Sequence, residues 1–325
     1  MERSAFITLC TLSAAKGRVI EMKISQVQRD EPNEFCQIKG AREIATNTMI
    51  ELWDNEISKP EWCFIVEVGN NGKGRIGFFK AGDEKNLNMF ALHFPGLDDA
   101  NSATPEMFLT EIFGFMRNKG VLSINYHLDS ETENHIMLLE VLKKTGMQVT
   151  QSKKSYLLER KASSKPSQNR LDYKTLSEVG KEAFLTAISE VTQGTLDRED
   201  ERVYKERGKE KAAEEHMNLL KDIGDRDDTW YLAYEQGVFV GLVIPQKIDK
   251  QTGVINYIGV VPAQRGKGYV SALLEKGISS LFQRKFQRII ADIDELNFPM
   301  EKALKKLGFK EDKKIWVLNI SLKKE

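Results

Sequence analysis

The two halves of this sequence repeat one order of apolar segments and turns. Residues 62–67 and 75–79 are apolar runs on either side of a glycine-containing turn, and residues 230–235 and 238–243 repeat that arrangement. Apolar segments joined by a short turn with glycine predict β-hairpins. In each half an apolar run ending in proline follows, and after it come an amphipathic helix and another strand. This internal repeat predicts a duplication, in which the chain folds as two units of one architecture.

Both halves also end a helix in the same way. Residues 142–147 read Leu-Lys-Lys-Thr-Gly-Met, and residues 304–309 read Leu-Lys-Lys-Leu-Gly-Phe. Glycine at that point suits the left-handed conformation that closes many helices, with an apolar residue behind it. Strands are predicted after these helices, near residues 154–158 and 315–322. Each half is therefore predicted to be a mixed α/β unit.

A polar segment separates the two halves. Residues 161–170 contain serine, lysine and proline but no large apolar residue, a composition that is typical of a linker. A length of 325 residues also suits two domains. We therefore predict a first domain over residues 1–160, a linker over residues 161–170 and a second domain over residues 171–325.

The charge balance excludes several classes of function. The chain has 48 Lys+Arg and 48 Asp+Glu, which leaves no basic field to hold nucleic acid or an anionic membrane surface. It also lacks the run of roughly 20 apolar residues that a membrane helix needs. The three cysteines form no CxxC pair and the four histidines lack ligand spacing, so neither a disulfide framework nor a metal site is predicted. We expect a cytoplasmic protein that binds no nucleic acid, membrane or metal.

The stretch of residues 255–274 carries the clearest chemical signal. An apolar strand ends at Pro262, a loop follows in which glycines alternate with basic residues, and a helix begins near Tyr269. The helix prediction rests on apolar residues spaced at i, i+3, i+4 and i+7, starting from Val270. The N–H groups at a helix start bind phosphate readily, and glycines let a ligand approach the backbone. We therefore predict that this loop binds a diphosphate.

Residues 265–270 read Arg-Gly-Lys-Gly-Tyr-Val, which resembles the Gln/Arg-x-x-Gly-x-Gly/Ala signature of the GNAT superfamily of acyl-CoA-dependent N-acyltransferases. Valine stands at the last position, where the family has glycine or alanine. Asn297 before a predicted helix, and the Gly-Phe pair that ends that helix, agree with the resemblance, which covers residues 171–322. It implies an α/β (α+β) fold class with two tandem GNAT-like domains, each a mixed, mostly antiparallel sheet flanked by helices.

The resemblance further implies acetyl-CoA (CoA) as the cofactor. The residues expected to bind it are Val260, Val261, Arg265, Gly266, Lys267, Gly268, Tyr269, Val270 and Asn297. The first half lacks this chemistry, because residues 96–105 contain two adjacent aspartates where the second half has the basic glycine loop. Negative charge before a helix start would repel a diphosphate. We therefore expect residues 1–160 to be a degenerate GNAT-like domain that stabilises the active half and walls one side of the acceptor site.

The second half favours direct transfer of the acyl group. It contains no cysteine and a single histidine, His216, so a covalent intermediate on a cysteine is hard to build from it. We predict that an amine attacks the thioester directly. The resemblance implies that an N–H group near Val260 polarises the thioester carbonyl, where negative charge develops.

The candidate catalytic side chains are Asp292, Asp294 and Tyr257. Period-two alternation puts both aspartates on the same face of one strand, where either can take the proton of an ammonium group. The alternative is that these aspartates cap or pair locally at the strand end. Tyr257 is a candidate for lining the acceptor pocket. The tyrosine that many GNAT enzymes use as general acid is replaced here by Leu304. The thiolate is then protonated by water or by another group such as Tyr269, or it is released unprotonated.

Three functions are compatible with these residues. The leading hypothesis is an acetyl-CoA-dependent N-acetyltransferase that acts on a primary amine of a small molecule. One alternative is a non-catalytic protein that binds or senses CoA, and the other is a tandem acyltransferase or aminoacyltransferase that uses a larger donor. Either a monomer or a homodimer is expected, since a duplication already provides the paired surface that single-domain relatives obtain by dimerising.

Overall fold

The computed structural model describes residues 7–14, 18–39, 43–69, 72–95, 97, 103–160, 171–222 and 227–323. The predicted linker, residues 161–170, and most of the acidic loop at residues 96–105 lie outside these ranges. The chain divides into two compact units. The first consists of Met1–Thr150 with Trp316–Glu325, and the second consists of Gln151–Ile315.

The first unit contains a sheet with helices packed on it. Its strands are β1 (Ile7–Ala14), β2 (Arg18–Gln26), β3 (Ser58–Val68), β4 (Lys73–Ala81), β5 (Asp83–His93) and β6 (Ser123–Asp129), with the end of β13 (Lys310–Ser321) and the beginning of β7 (Gln148–Glu159). Its helices are α1 (Pro32–Cys36), α2 (Thr46–Asp54), α3 (Ala103–Asn118) and α4 (His135–Lys144). Strands β1 to β5 pair in order as antiparallel neighbours, and β5 pairs with β6 in parallel.

The second unit repeats this plan. Its remaining strands are β8 (Asp172–Thr175), β9 (Tyr231–Glu235), β10 (Val238–Lys247), β11 (Thr252–Val260) and β12 (Arg288–Asp294). Its helices are α5 (Leu176–Val179), α6 (Lys181–Thr192), α7 (Arg198–Arg207), α8 (Lys209–Asp222), α9 (Tyr269–Gln283) and α10 (Phe298–Lys306). The strand order is β7-β12-β11-β10-β9-β8, in which the β11/β12 pair is parallel and the other described pairs are antiparallel. The predicted fold class, a mixed and mostly antiparallel sheet flanked by helices, is confirmed.

In each half of the chain, part of the last strand belongs to the compact unit that the other half forms. Residues 151–159 of β7 belong to the second unit, whereas residues 316–321 of β13 belong to the first. Leu318 and Leu322 are buried in the apolar core of the first unit, and the Leu322 N–H donates to the Leu122 carbonyl at 2.8 Å. The chain therefore completes its first unit only when its last residues are in place.

Helices cover both faces of the strands that carry the motif. On one face of β10 and β11, side chains of α6 and α8 such as Ile188 and Met217 pack with Tyr257 of β11. On the other face lies α9, whose Leu273 and Leu281 are fully buried. Gly277 permits this close approach of α9, since an added Cβ there would lie 2.7 Å from Ile255 Cδ1. The apolar stripe expected from the sequence is thus the side of α9 that is buried.

Strands β11 and β12 separate soon after they begin to pair. Their parallel register covers Thr252–Val254 and Arg288–Ile290. Beyond that point β11 continues to Val260 and β12 continues to Asp294 without further registered pairs between them. A gap therefore opens toward the carboxyl ends of the two strands, where the motif residues lie. Of the described helices, none has the length and apolar character needed to cross a membrane.

Candidate acyltransferase site

Val260 directs its backbone N–H into the gap between β11 and β12. The Val261 N–H donates to the Val240 carbonyl at 3.1 Å, so these two residues form a hydrogen-bonded pair with β10. Hydrogen-bonded and non-hydrogen-bonded pairs alternate along an antiparallel ladder. The next pair, Gly241 and Val260, is therefore non-hydrogen-bonded, and the Val260 N–H points away from β10. This is the side from which β12 has separated.

The glycine loop leaves open space in front of the start of α9. Gly266 and Gly268 have φ angles of 78° and 86°, a left-handed conformation in which glycine avoids strain. An added Cβ at either residue would meet nothing within 4 Å. Gly268 is the N-cap of α9 and offers no capping side chain, so N–H groups of the first helical turn remain available to an outside acceptor. The loop therefore fits the diphosphate that the sequence predicts.

Two side chains at the loop complete this surface. Lys267 is exposed, and its ammonium group donates to Gln264 Oε1 at 2.7 Å, on the same loop. A long, exposed lysine can move from such a contact to a phosphate group. Val270 packs against the apolar core of the second unit, and the Tyr269 hydroxyl donates to Glu235. The valine that departs from the family signature thus contributes to the packing of α9.

Arg265 is bound to the backbone of the second unit. Its guanidinium group donates to the Val260 carbonyl at 3.0 Å and to the Gly194 carbonyl at 2.8 Å. It also donates to the carbonyls of Val191 at 3.0 Å and Gln193 at 2.7 Å. The Val191, Gln193 and Gly194 carbonyls lie at the end of α6 and just beyond it. Arg265 therefore fastens this segment to the end of β11, and the basic side chain that the loop presents outward is Lys267.

The two aspartates of β12 occupy different environments. Asp292 is exposed, whereas Asp294 is 0% exposed. The Asp294 carboxylate accepts hydrogen bonds from Arg198 Nε at 2.8 Å and from Gln151 Nε2 at 3.0 Å. It also accepts one from the Leu296 N–H at 3.0 Å. The side chains therefore do not face one cleft together, because α7 and β7 cover Asp294 at the strand end.

The Asp294 carboxylate is held in its charged form. Burial by itself would raise its pKa, but the hydrogen bonds from Arg198, Leu296 and Gln151 together outweigh this effect and leave the pKa below its ordinary value. Such a group is a poor proton acceptor at neutral pH. The contacts correspond to the local pairing that was the alternative for this residue.

Asn297 acts as the N-cap of α10. Its side-chain oxygen accepts a hydrogen bond from the Met300 N–H at 3.3 Å, and proline follows at the start of the helix. The cap uses the oxygen of the side chain, so its amide N–H₂ group is the part that can reach a ligand. Asn297 lies just beyond the carboxyl end of β12, on the other side of the gap from Val260.

Tyr257 belongs to a group of side chains that sequence reasoning did not assemble. Its hydroxyl lies 2.6 Å from Thr192 Oγ1, and its ring centroid lies 4.1 Å from that of His216. On its other side, His216 Nδ1 lies 3.6 Å from Asp200 Oδ1. His216 and Asp200 line a cavity of about 130 Å³ whose other lining residues come mainly from α7 and α8. The sequence signal was the lone histidine of the second half, in a stretch whose many charges suggested a solvated face.

Burial shifts the pKa values of this group strongly. It raises the pKa of Asp200 to about 7, and the neighbouring Asp197 carboxylate adds to the rise, which Lys153 opposes and Glu199 increases slightly. Burial lowers the pKa of His216 to about 4, so its imidazole is neutral at pH 7. Burial likewise raises the pKa of Tyr257 far above its usual range. Carboxyl groups with a pKa near neutrality are suited to proton transfer.

Comparison with known proteins identifies the domain. Residues 195–309 match the model of the acetyltransferase (GNAT) family. Over these residues the chain is similar to GNAT acetyltransferases. This match lies within the second half, where the sequence predicted it, and the prediction of an acyltransferase enzyme is confirmed. No curated protein matches the chain.

Solved structures show that the GNAT fold extends over both units. A GCN5-related N-acetyltransferase from Sphaerobacter thermophilus superposes with a TM-score of 0.63 at 12% identity, covering 93% of this chain and 96% of that one. A tandem GNAT protein from the clavulanic acid biosynthesis pathway superposes with a TM-score of 0.56 at 11% identity, covering 94% and 100%. At these identities the similarity shows the fold alone. It agrees with the duplication that the internal repeat predicts and with the two GNAT-like domains that the resemblance implies.

Proposed function

We propose that this GNAT protein is an acetyl-CoA-dependent N-acetyltransferase that transfers an acetyl group directly to a primary amine of a small molecule. The observation that carries the proposal is the position of the Val260 N–H, which points into the β11/β12 gap beside the open glycine loop. One backbone donor for a carbonyl oxygen and one cradle for a diphosphate thus lie at the end of the same strand.

The donor site is built from the end of β11, the loop and the start of α9. Backbone N–H groups at Gly266, Gly268 and Tyr269, with the Lys267 ammonium, would hold the diphosphate. Acetyl-CoA, when bound, supplies an activated acyl thioester. The Val260 N–H would donate to the thioester oxygen, and removal of one such donor in other enzymes costs about 10²–10³ in kcat.

The transfer is direct because the second half has no cysteine to carry an acyl group. The same half has a single histidine, His216, and its imidazole lies between Asp200 and the Tyr257 ring. The proposal includes one donor site per chain, since two aspartates stand where the first half would need its glycine loop. Residues 1–160 would then serve as support for the active half.

Calorimetric titration with acetyl-CoA tests the donor site. We expect one site per chain, and we expect Lys267→Ala to weaken binding by about 3–10-fold, because an exposed charged hydrogen bond contributes at the low end of its usual range. The matched control is Lys250→Ala, an exposed lysine that precedes β11 at its opposite end. Two sites per chain would contradict the assignment of the first half, and equal affinities of the two variants would contradict the loop site.

Turnover distinguishes the remaining alternatives. Free thiol release from acetyl-CoA is measured with and without primary amines, and the acetylated amine is identified by mass spectrometry. Transfer to an amine supports the proposal. Tight binding without transfer favours a CoA-binding or sensing protein, and transfer from a larger acyl donor alone favours the tandem acyltransferase alternative.

A further inference from the structure

The segment that joins α6 to α7 is attached on both sides of the gap between β11 and β12. At one end, the Arg265 guanidinium holds the Gln193 and Gly194 carbonyls beside the end of β11. At the other end, Arg198 pairs with Asp294 at the end of β12, with Nε 2.8 Å from the carboxylate. The segment therefore runs from the end of β11 to the end of β12, the parts of the two strands that lie beyond their registered pairs.

Asp200 lies in this first turn and faces inward. The Asp197 carboxylate caps α7 by accepting hydrogen bonds from the N–H groups of Glu199 at 3.0 Å and Asp200 at 3.1 Å, which fixes the turn. The Asp200 side chain is 23% exposed and approaches His216 of α8. Asp200 is thus a carboxylate held within the protein by the geometry of the helix start.

The cavity beside Asp200 combines apolar walls with a few polar groups. Its apolar lining consists of Val203, Ala212, Ala213 and Leu219. Two further carboxylates on its rim have cationic partners, since Glu199 pairs with Arg202 and Glu215 pairs with Arg207. Asp200, in contrast, forms no ion pair with a lysine or arginine in the part of the chain that the structure describes. It is the carboxylate of this cavity that remains available to a cationic ligand.

His216 provides a second, independent sign of a ligand. Its Nε2 atom is buried and has no hydrogen-bond partner among the described residues, although the residue lines the cavity. Buried polar atoms in proteins nearly always have a partner, so an unpaired one in a side chain that lines a cavity points to a missing ligand. Because Nδ1 faces the Asp200 carboxylate, the tautomer with the proton on Nδ1 leaves Nε2 as an acceptor. An ammonium group in the cavity would pair with the Asp200 carboxylate.

We propose that the cavity between α7 and α8 receives the ammonium end of a compact primary amine with an apolar body, and that Asp200 is the general base that removes its proton. This inference rests on the proposed function. The volume of about 130 Å³ and the apolar walls favour a short alkyl or aryl amine over a peptide or a sugar. The lining carboxylates also disfavour an acceptor with its own negative charge near the nitrogen.

The proton balance assigns a definite role to each atom. One ammonium N–H bond breaks and an O–H bond forms on Asp200, which leaves the nitrogen lone pair free. The nitrogen then bonds to the thioester carbon, the C–S bond breaks, and its electron pair leaves with sulfur. One of the nitrogen's two remaining protons goes to the thiolate to give the thiol, and Asp200 returns its proton to solvent. The sum is one amide, one thiol and one proton.

The charged and titratable groups around Asp200 set its working pH. They are Asp197 at the N-cap of α7, Glu199 on α7, Lys153 on β7, His216 on α8 and Tyr257 on β11. Because the Asp200 pKa is raised to about 7, a base in this position is protonated and inactive well below pH 7 and becomes active above it. We expect kcat/KM for protonated amines to rise with pH and to level off above about 7.

The test compares Asp200→Asn with wild type on n-butylamine, benzylamine and aniline. The two alkylamines are protonated at neutral pH and need the base, whereas aniline is already unprotonated. We expect Asp200→Asn to lower kcat/KM for the alkylamines by about 10²–10⁴-fold at pH 7, to remove the levelling above about pH 7 so that kcat/KM keeps rising with the fraction of free amine, and to leave aniline within a few-fold of wild type. Asp172→Asn, an exposed aspartate on the edge strand β8, is the matched control and should behave as wild type.

The possible results are distinct. Equal losses for aniline and the alkylamines would show that Asp200 only supports the structure, and an unchanged pH profile in Asp200→Asn would also overturn its role as base. Failure of wild type to acetylate any of the three amines, while it binds acetyl-CoA, would overturn the assignment of the cavity. Failure to bind acetyl-CoA would instead refute the proposed function itself.

Discussion

Replacing Arg265 should weaken the attachment of the end of α6 to β11, whereas replacing Lys267 should weaken the binding of acetyl-CoA. The Arg265 guanidinium donates four hydrogen bonds, at 2.7–3.0 Å, to backbone carbonyls of β11, of the end of α6 and of the segment after α6. In Arg265→Ala these carbonyls lose a charged donor. Because Arg265 is partly exposed, water replaces some of the lost bonds, and we assign each the net value of an ordinary hydrogen bond, about 0.5–1 kcal/mol. The total loss is then about 2–4 kcal/mol.

Two measurements check this value. For a unit of this size, about 2–4 °C of the thermal midpoint is lost per kcal/mol, so Arg265→Ala should unfold roughly 4–16 °C lower than wild type. Hydrogen exchange followed by mass spectrometry should show faster exchange in residues 186–200, since their contact with β11 is gone. Arg265→Lys should fall between the two proteins, because an ammonium group cannot match the planar fork of the guanidinium.

Lys267→Ala should show the opposite pattern of effects on stability and on acetyl-CoA binding. Lys267 is exposed and bonds Gln264, so its removal should leave the thermal midpoint within about 1 °C and affect acetyl-CoA affinity instead. The assignment of Arg265 would be wrong if Arg265→Ala weakened acetyl-CoA binding as strongly as Lys267→Ala while exchange in residues 186–200 stayed at the wild-type rate.

Three further changes have defined outcomes. Leu318→Ala should cost about 2–5 kcal/mol in urea unfolding of the first unit, because Leu318 is fully buried in that core, and a loss below 1 kcal/mol would contradict its place there. The lowered pKa of Asp294 gives stability that is present above its ordinary value of 3.8 and lost as the pH falls below it. Arg198→Ala should therefore shrink this acid-side loss, as measured by unfolding at pH 2–6. Burial raises the pKa of Cys63 to about 12, so in a Cys10→Ser/Cys36→Ser protein Cys63 should react with a disulfide reagent only after unfolding, and fast reaction of the native protein would refute its burial.

The parts of the site that lie close together in sequence could be predicted from it. The end of β11, the glycine loop and the start of α9 form one continuous segment, and their conformations follow from apolar spacing and from glycines with positive φ. The duplication was also visible, because each half repeats its own order of strands and helices. Neither prediction required knowledge of which distant segments meet.

The remaining parts required the folded chain. Arg265 is basic and adjacent to the loop, so the sequence placed it on the diphosphate, but its partners lie about 70 residues earlier at the end of α6. Alternation along β12 places Asp292 and Asp294 on the same side of the strand. Whether each side chain is exposed, however, depends on how α7 and β7 pack against that side. Asp200, His216 and Tyr257 come from three elements whose spacing in sequence carries no sign of their contact.

The assignment of strands to units follows the same division. The sequence located β7 and β13 and predicted a domain boundary at residue 160. In the structure the chain passes from one compact unit to the other after residue 150 and again after residue 315, so that β7 and β13 are each divided between the two units. A strand's own residues determine that it is extended and which of its faces is apolar, because those properties depend on neighbours one or two positions away. Which sheet receives the strand, and which charges are buried with it, depends on packing between residues far apart in the chain. The sequence by itself determined the repeated fold and the donor loop. Only the tertiary structure decided which carboxyl and imidazole groups are buried, and therefore which of them are protonated at neutral pH.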